Sequence, residues 1–255
     1  MSLIDSHAHI YSEKFDEDRA EAVARAQEEG VTRIYMPNID HTSIDAMLEA
    51  EEKYPGVCIP MMGLHPTSVG KDFERELYIL EEWLGRRKFA AIGECGTDLY
   101  WDKSFLPQQQ EALKVQVALA KKHQLPVVLH SRDSFDETYE ILAAAQDGTL
   151  RGVFHCFTGT AEEARKVKEL GFLLGIGGVA TFKNGGLDKV LPHVQLSDLV
   201  LETDCPYLAP APHRGKRNEP VYMTLIAERV ADLLQQPIET VARETSANAL
   251  NLFKL

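Results

Sequence analysis

The sequence is short of cationic charge and of aromatic residues. Lysine and arginine number 27 against 39 acidic residues, so the formal net charge is −12, and aromatic residues make up 8% of the chain. A protein that coats duplex nucleic acid nonspecifically needs a net positive face. The acidic balance therefore argues against such coating. It allows a local basic rim beside a metal site, since bound cations neutralise acidic charge.

Long apolar runs and a cysteine framework are also missing. No run approaches the roughly 20 apolar residues of a membrane-spanning helix. The four cysteines fit no paired-thiol metal spacing and give no reason to infer disulfides. The N-terminus enters an apolar strand pattern at Leu3 with no basic and apolar secretory leader before it. We therefore expect a cytoplasmic protein without a membrane partner.

Two histidines one residue apart, His7 and His9, follow the first apolar strand pattern. On extended backbone such residues project to the same side and can bind one metal ion. The pair alone is a weak signal, but four further candidate ligands each close a short apolar run, where a buried strand is expected to end. These are Glu94, His130, His155 and Asp204.

Three cysteines, Cys95, Cys156 and Cys205, directly follow candidate ligands. Consecutive residues of a strand face opposite sides of a sheet. We therefore expect these cysteines to point at surrounding helices and to pack as small apolar side chains.

Apolar strand patterns alternate with amphipathic helical patterns along the chain. The first strand covers Leu3 to Asp5, a helix follows from about Asp18 to Glu29, and eight such units can be counted. Short buried strands of this kind are typical of a parallel sheet. The simplest closure is a single-domain (β/α)₈ barrel over residues 1–255, in which all C-terminal strand ends meet on one face. A doubly wound open sheet is the alternative, and it would spread the candidate ligands along a line.

The sequence resembles the TatD family of metal-dependent deoxyribonucleases, within the wider group of amidohydrolase-like barrels. The resemblance covers the whole chain. It rests on IDSHAHI at 4–10, GLHP at 63–66, AIGECGTD at 91–98, LPVVLHSRD at 125–133, GVFHCFTG at 152–159, LETDCPYLAP at 201–210, PHRGKRNEP at 212–220 and SANALNLF at 246–253. The family's metal ligands match His7, His9, Glu94, His130, His155 and Asp204. Cys95 and Thr97 depart from the family, which more often has an aliphatic residue and leucine there.

Six such residues exceed what one zinc-type ion takes from a protein, whereas two ions that share a carboxylate would use them all. We expect Glu94 to bridge. One ion would be bound by Glu94 with His7, His9 and Asp204, and the other by Glu94 with His130 and His155. Imidazole donors suit zinc or manganese, while the resemblance implies magnesium. Asp204 would also accept a proton from water, which makes Asp204 and Glu94 the candidate catalytic residues.

Other polar residues are expected at the same mouth. His65 either hydrogen bonds to substrate phosphate or to a metal-bound water, or is structural, and Asp98 either orients a metal-bound histidine or is a turn residue. Tyr100 and Trp101 either stack a nucleobase or cover the core. The candidate substrate-binding cations are Arg132, Arg214, Lys216 and Arg217, with Lys183 on the same rim.

The expected function is hydrolysis of phosphodiester bonds in DNA. The resemblance implies that the DNA is single-stranded and cleaved from an end. The same chemistry on an amide, ester or lactone is an alternative, and a metal-binding scaffold without turnover is a third. The basic rim favours DNA, because an uncharged amide would not require it. No obligate protein partner is evident.

Overall fold

Eight parallel strands form the centre of the molecule. The computed structural model describes residues 1–254. The strands are β1 Leu3–Asp5, β2 Val31–Met36, β3 Cys58–Pro60, β4 Ile92–Asp98, β5 Val127–Arg132, β6 Gly152–Phe154, β7 Leu173–Ile176 and β8 Leu199–Leu201.

The helices lie between and after the strands. They are α1 Arg19–Glu28, α2 Ile44–Lys53, α3 Phe73–Arg86, α4 Leu106–His123, α5 Phe135–Ala145, α6 Ala161–Glu169, α7 Leu187–Val190, α8 Met223–Leu234 and α9 Ile238–Leu252. Within residues 1–254, no helix combines the length and the apolar character needed to span a membrane.

The strands pair in chain order and close on themselves. β1 to β3 form one parallel group and β4 to β8 form another. A parallel bridge between Met62 and Ile92 joins the two groups, and the amide of Ser6 donates to the carbonyl of Leu201 at 3.0 Å. The order from first to eighth strand with a link back to the first is a closed (β/α)₈ barrel. The barrel prediction is confirmed, and the doubly wound alternative is wrong.

Alternating strand residues build two apolar layers. The layer inside the barrel includes Ile4, Tyr35, Ile59, Val128, Val153 and Val200, packed with Ala249, Leu252 and Phe253 of the C-terminal segment. Their sequence neighbours, such as Leu3 and Val127, pack between strands and helices. Full burial of one such side chain contributes about 1.5–3 kcal/mol.

Helix α9 covers the N-terminal ends of the strands. Ser246 donates to the carbonyl of Ser2 just before β1, and Asn248 donates to the carbonyl of Leu199 at the start of β8. The C-terminal strand ends therefore form the other mouth of the barrel, where the candidate ligands lie.

The expectation that a strand ends at each candidate ligand is wrong for Glu94 and His130, which lie inside β4 and β5. The ladder between these strands continues to the pair formed by Asp98 and Arg132. The apolar run marks only the part of each strand that faces the interior layer, while backbone pairing extends beyond it. His155 and Asp204 follow β6 and β8 as expected.

Candidate metal centre

The period of the strands places polar side chains directly above the interior layer. The interior valines of β5, β6 and β8 are each followed, two residues later, by a polar residue that faces the same way. These residues are His130, His155 and Glu202. The barrel interior is thus apolar at its centre and polar at its C-terminal mouth.

Glu94 lies at the centre of this mouth. The pairing of β4 with β5 is irregular between Ile92 and Cys95, and such a bulge re-aims a side chain. Glu94 is 2% exposed. Burial alone would raise the pKa of Glu94, but the surrounding histidines hold it well below its ordinary value.

The two oxygens of Glu94 face different rings. Oε2 lies 3.1 Å from Nε2 of His7 and 3.7 Å from Nε2 of His9. Oε1 lies 2.9 Å from Nδ1 of His130, 3.1 Å from Nε2 of His155 and 3.3 Å from Nε2 of His65. We call these residues, together with Asp204, the Glu94 cluster.

Asp204 joins the Oε2 side of the cluster. Its Oδ1 lies 3.8 Å from Nε2 of His7 and 3.6 Å from Nε2 of His9. The backbone fixes this position, because the amide of Asp204 donates to the carbonyl of His7 at 2.8 Å. Burial raises the pKa of Asp204 to about 6.

A hydrogen-bond relay orients the ring of His9. The hydroxyl of Tyr11 donates to the carbonyl of Pro37 and lies 3.0 Å from Nδ1 of His9. Because the hydroxyl hydrogen of Tyr11 is donated to Pro37, the hydroxyl oxygen accepts a hydrogen bond from Nδ1–H of His9. Burial also lowers the pKa of His9 well below its ordinary value. The neutral ring therefore presents the lone pair of Nε2 to the cluster.

Carboxylates orient His130 and His155. Nε2 of His130 lies 2.8 Å from Oδ2 of Asp98, and Nδ1 of His155 lies 3.1 Å from Oε1 of Glu202. A carboxylate accepts, so each outer nitrogen donates and each inner nitrogen of a neutral ring presents a lone pair to Glu94. Burial opposes charge on both rings, yet these carboxylates and Glu94 raise the pKa of both.

The cluster fits a divalent metal ion. Lone pairs that point at a carboxylate repel it unless positive charge lies between them, as a proton or as a metal ion. Three overlapping groups have ligand atoms within 4.8 Å of one another: His7, His155 and Asp204; His7, His9 and Glu94; His65, Glu94 and His130. Imidazole and carboxylate are donors that zinc, manganese and iron accept.

His65 differs from the other rings. Its Nδ1 accepts from the amide of Thr67 at 3.1 Å, and burial lowers its pKa. The proton of the neutral ring is therefore on Nε2, the nitrogen that faces Glu94. His65 therefore presents a hydrogen-bond donor to Glu94, although one of its ring nitrogens also lies within 4.8 Å of ligand atoms of Glu94 and His130.

The sequence interpretation missed Glu202. Its carboxylate is fully buried and accepts from the amide of Cys156 as well as from His155. An added Cβ at Gly175 would lie 2.3 Å from Oε2 of Glu202, so only glycine leaves room for it. The signal was present, because Glu202 stands two residues after Val200, an interior residue of β8.

The expectation for the cysteines is only partly met. Cys95 and Cys205 are buried in the layer between strands and helices. Cys156 instead has a φ of 46°, in the left-handed region, so the alternation of a strand does not apply to it. Burial raises the pKa of Cys156 to about 12, with Asp204 and Glu202 also opposing a thiolate.

The candidate substrate-binding cations differ in what they contact. Arg132 lies with its guanidinium carbon 3.6 Å from the ring centroid of Tyr100, and Arg214 lies 3.9 Å from that of Phe182. Lys216 is exposed, as is Lys183. Each of these cations is accessible at the rim.

Arg217 is bound within the protein. Its two terminal nitrogens each lie 2.6 Å from an oxygen of Asp18, and one lies 2.8 Å from Glu219. This bidentate pair ties the loop after β8 to the start of α1. The sequence interpretation treated Arg217 like Arg214, because partners nearly 200 positions away cannot be seen in a linear pattern.

A cleft of about 810 Å³ opens beside His155. This volume is in the range of small-molecule sites. Its charged lining residues are Asp133, Asp136, Glu137, Glu163 and Lys189. The cleft is thus more acidic than the rim that carries Arg132 and Arg214.

A closed parallel barrel with imidazoles and carboxylates converging at the C-terminal strand ends defines a metallohydrolase-type barrel. Known proteins agree. A model of the TatD-related DNase family matches residues 4–254. The chain is 39% identical to the uncharacterized metal-dependent hydrolase YabD of Bacillus subtilis, covering 99% of each chain. It is 32% identical to the 3'-5' ssDNA/RNA exonuclease TatD of Yersinia pseudotuberculosis, covering 99% of this chain and 100% of that protein.

A solved structure gives the same answer. The TatD homologue YjjV of Escherichia coli K12 superposes with a TM-score of 0.93 at 30% identity, covering 99% of this chain and 98% of that one. The chain belongs to the TatD-related DNase family. The resemblance noted in the sequence is confirmed, and with it a metal-dependent DNA hydrolase at the level of the family.

Proposed function

We propose that this protein hydrolyses phosphodiester bonds of single-stranded DNA from an end, with two divalent metal ions bound in the Glu94 cluster. The observation that carries the proposal is the division of Glu94 between two groups of rings. Oε2 faces His7 and His9, and Oε1 faces His130 and His155. A carboxylate with two separately surrounded oxygens is suited to bridge two ions.

Divalent ions bound there would make a water more acidic and would stabilise negative charge on the phosphate. Asp204, which faces the Oε2 side, takes the proton of the attacking water as general base. His65 donates from Nε2 to a phosphate oxygen. Asp98 and Glu202 hold the rings of His130 and His155 in the orientation that the ions require.

The preference for single strands and ends is supported by the name of the Yersinia relative, a 3'-5' ssDNA/RNA exonuclease. Phosphates of the strand would contact Arg132, Arg214 and Lys216, which are exposed at the rim. Arg217 is excluded from this role because two carboxylates already surround its guanidinium. Its proposed role is to position the loop that carries Arg214.

We further propose that residues 1–255 act as one catalytic domain in the cytoplasm without an obligate protein partner. The four cysteines are unpaired, which is usual where thiols are kept reduced. Manganese and zinc suit the imidazole donors, and magnesium is implied by the family resemblance.

One observation favours a different substrate. The cleft beside His155 has four carboxylates and one lysine among its lining residues, and such a surface repels phosphate. It would accept an uncharged amide, ester or lactone, on which the same metal chemistry could act.

The test uses metal-stripped protein to which magnesium, manganese and zinc are returned one at a time. Labelled single-stranded DNA, duplex DNA and RNA are assayed beside a panel of amides, esters and lactones. We expect shortening of single-stranded DNA from one end and slower attack on the duplex. Turnover of a lactone or amide with no cleavage of any nucleic acid would establish the alternative. Glu94→Gln protein, prepared in parallel, controls for a contaminating nuclease.

A further inference from the structure

Two aromatic side chains stand exposed beside the Glu94 cluster. Trp101 is 71% exposed and Tyr100 is 52% exposed, in the loop after β4. Their rings meet edge to face, with centroids 4.9 Å apart. With so much of their surface in solvent, the two residues do not cover the core, which was the alternative left open by the sequence. Large aromatic surface left in water beside a site is a feature of binding surfaces.

The loop is anchored to the cluster through one carboxylate. Oδ1 of Asp98 accepts from the amides of Tyr100 and Trp101 at 2.9 and 3.2 Å. Oδ2 of the same side chain lies 2.8 Å from Nε2 of His130. The backbone of both aromatic residues is therefore tied, through Asp98, to the ring of His130, which faces Glu94.

A cation completes the surface. Arg132 follows His130 by two residues, and its carbonyl accepts from the amide of Leu99 at 2.9 Å. Its guanidinium lies 3.6 Å from the centroid of Tyr100 and 5.6 Å from that of Trp101. In such an arrangement the exposed arginine can pair with a phosphate, and the aromatic rings can stack on a base. We call Tyr100, Trp101 and Arg132 the aromatic platform.

We propose that the aromatic platform binds an unpaired nucleobase of the strand whose phosphate lies at the Glu94 cluster, with Trp101 as the stacking surface. This inference rests on the proposed function and adds to it a determinant of strand selection. In a duplex the faces of the bases are stacked on each other, so an aromatic side chain can reach them only in a single strand. The platform thereby favours single-stranded over duplex substrate.

The experiment measures binding of the metal-loaded protein by fluorescence anisotropy. One probe is a short labelled single-stranded phosphorothioate oligonucleotide, chosen to resist cleavage. The second has the same length and the same backbone but abasic sugars. Wild type is compared with Trp101→Ala and Trp101→Phe. Tyr78→Ala is the matched control, since Tyr78 is an exposed aromatic residue, 65% accessible, on outer helix α3.

We expect Trp101→Ala to bind the base-containing probe about tenfold more weakly, because stacking of one base on an aromatic side chain contributes roughly that factor. Trp101→Phe should retain most of the affinity, and Tyr78→Ala should equal wild type. The abasic probe should bind wild type and Trp101→Ala equally.

An equal loss on both probes would overturn the inference, since Trp101 would then act through loop shape or the backbone. Unchanged affinity for the base-containing probe in Trp101→Ala would overturn it as well. Cleavage is measured separately on ordinary single-stranded DNA. If wild-type protein cleaves no DNA, the proposed function is refuted. The role of the aromatic platform is tested separately, by the ratio of affinities for the base-containing and abasic probes.

Discussion

The histidines on the two sides of Glu94 differ in the hydrogen-bond partners of their outer ring nitrogens, the ones that face away from Glu94. On the Oε1 side, His130 and His155 each donate to a carboxylate, Asp98 and Glu202. A carboxylate behind an imidazole fixes its tautomer and makes the inner nitrogen a stronger donor to a metal.

On the Oε2 side, the outer nitrogen of one histidine has a neutral hydrogen-bond partner and that of the other has none in the described part of the chain. His9 donates to the hydroxyl of Tyr11. Within residues 1–254, Nδ1 of His7 is buried and has no hydrogen-bond partner. Asp204 compensates by adding a carboxylate directly beside both rings. If two ions bind as proposed, this difference predicts that an ion beside His130 and His155 would be held more tightly than an ion beside Asp204.

The largest expected effect comes from Asp204→Asn, which removes the carboxylate that lies beside His7 and His9. The variant should keep the ion on the Oε1 side and lose turnover by about 10² to 10⁴, because an amide cannot act as general base. Kinetics and metal content are measured on the same preparation. Near-normal turnover in metal-loaded Asp204→Asn would break the assignment of Asp204.

A second pair of variants sharpens the difference between the sides. Asp98→Asn should weaken binding of the tight ion by about 10- to 100-fold, the usual cost of removing a carboxylate behind a metal-bound histidine. Tyr11→Phe, which removes a neutral partner of His9, should weaken only the other ion and by less. Titration against a competing chelator measures both. Equal losses in the two variants would remove the asymmetry.

Site residues can be predicted from the sequence where the two-residue period of a strand fixes their position. His130 and His155 were predictable because they stand two residues beyond buried valines on strands, and a parallel barrel brings such positions together. The alternation of strands and helices was sufficient for the fold.

Other features could not be predicted because they depend on contacts between distant segments. The pairing of Arg217 with Asp18 joins opposite ends of the chain. The irregular strand pairing at Glu94 has no simple signature in the apolar pattern of β4. The relay from His9 through Tyr11 to Pro37 likewise needs the packed backbone to be known.

Substitution of the exposed rim cation Arg214 should have a smaller effect, on the binding of DNA. Arg214→Ala should flatten the dependence of log affinity for single-stranded DNA on log salt concentration by about 0.7 to 1, the change expected for one lost phosphate contact. Arg217→Ala should leave this slope unchanged, because Arg217 pairs with Asp18 and Glu219. Binding is measured over a series of salt concentrations with unaltered metal content. Equal slopes in wild type and Arg214→Ala would assign Arg214 to the solvated surface.

The smallest effect concerns stability. The hydrogen bond from Arg217 lowers the pKa of Asp18 from its ordinary 3.8 to about 2. An acid with a lowered folded-state pKa stabilises the fold above its ordinary pKa, and this contribution is lost as the pH falls through the lowered value. Arg217→Ala should therefore reduce the free energy of unfolding by about 1 kcal/mol or less at neutral pH, since the pair is partly exposed.

Urea unfolding of wild type and Arg217→Ala at neutral pH and at about pH 2 tests this, because the difference between them should shrink in acid. Arg243→Ala is the control, since Arg243 pairs with its neighbour Glu244 on the surface. A difference that does not change with pH would assign the effect of Arg217 to packing on Phe15 rather than to charge.

We propose that one carboxylate, Glu94, is shared by two metal ions. The most direct measurement is the metal content of Glu94→Gln and wild type by elemental analysis after identical loading and desalting. Because a neutral amide is a poor bridge, we expect two ions per wild-type chain and reduced occupancy of both in the variant. Full occupancy of both ions in Glu94→Gln would contradict it.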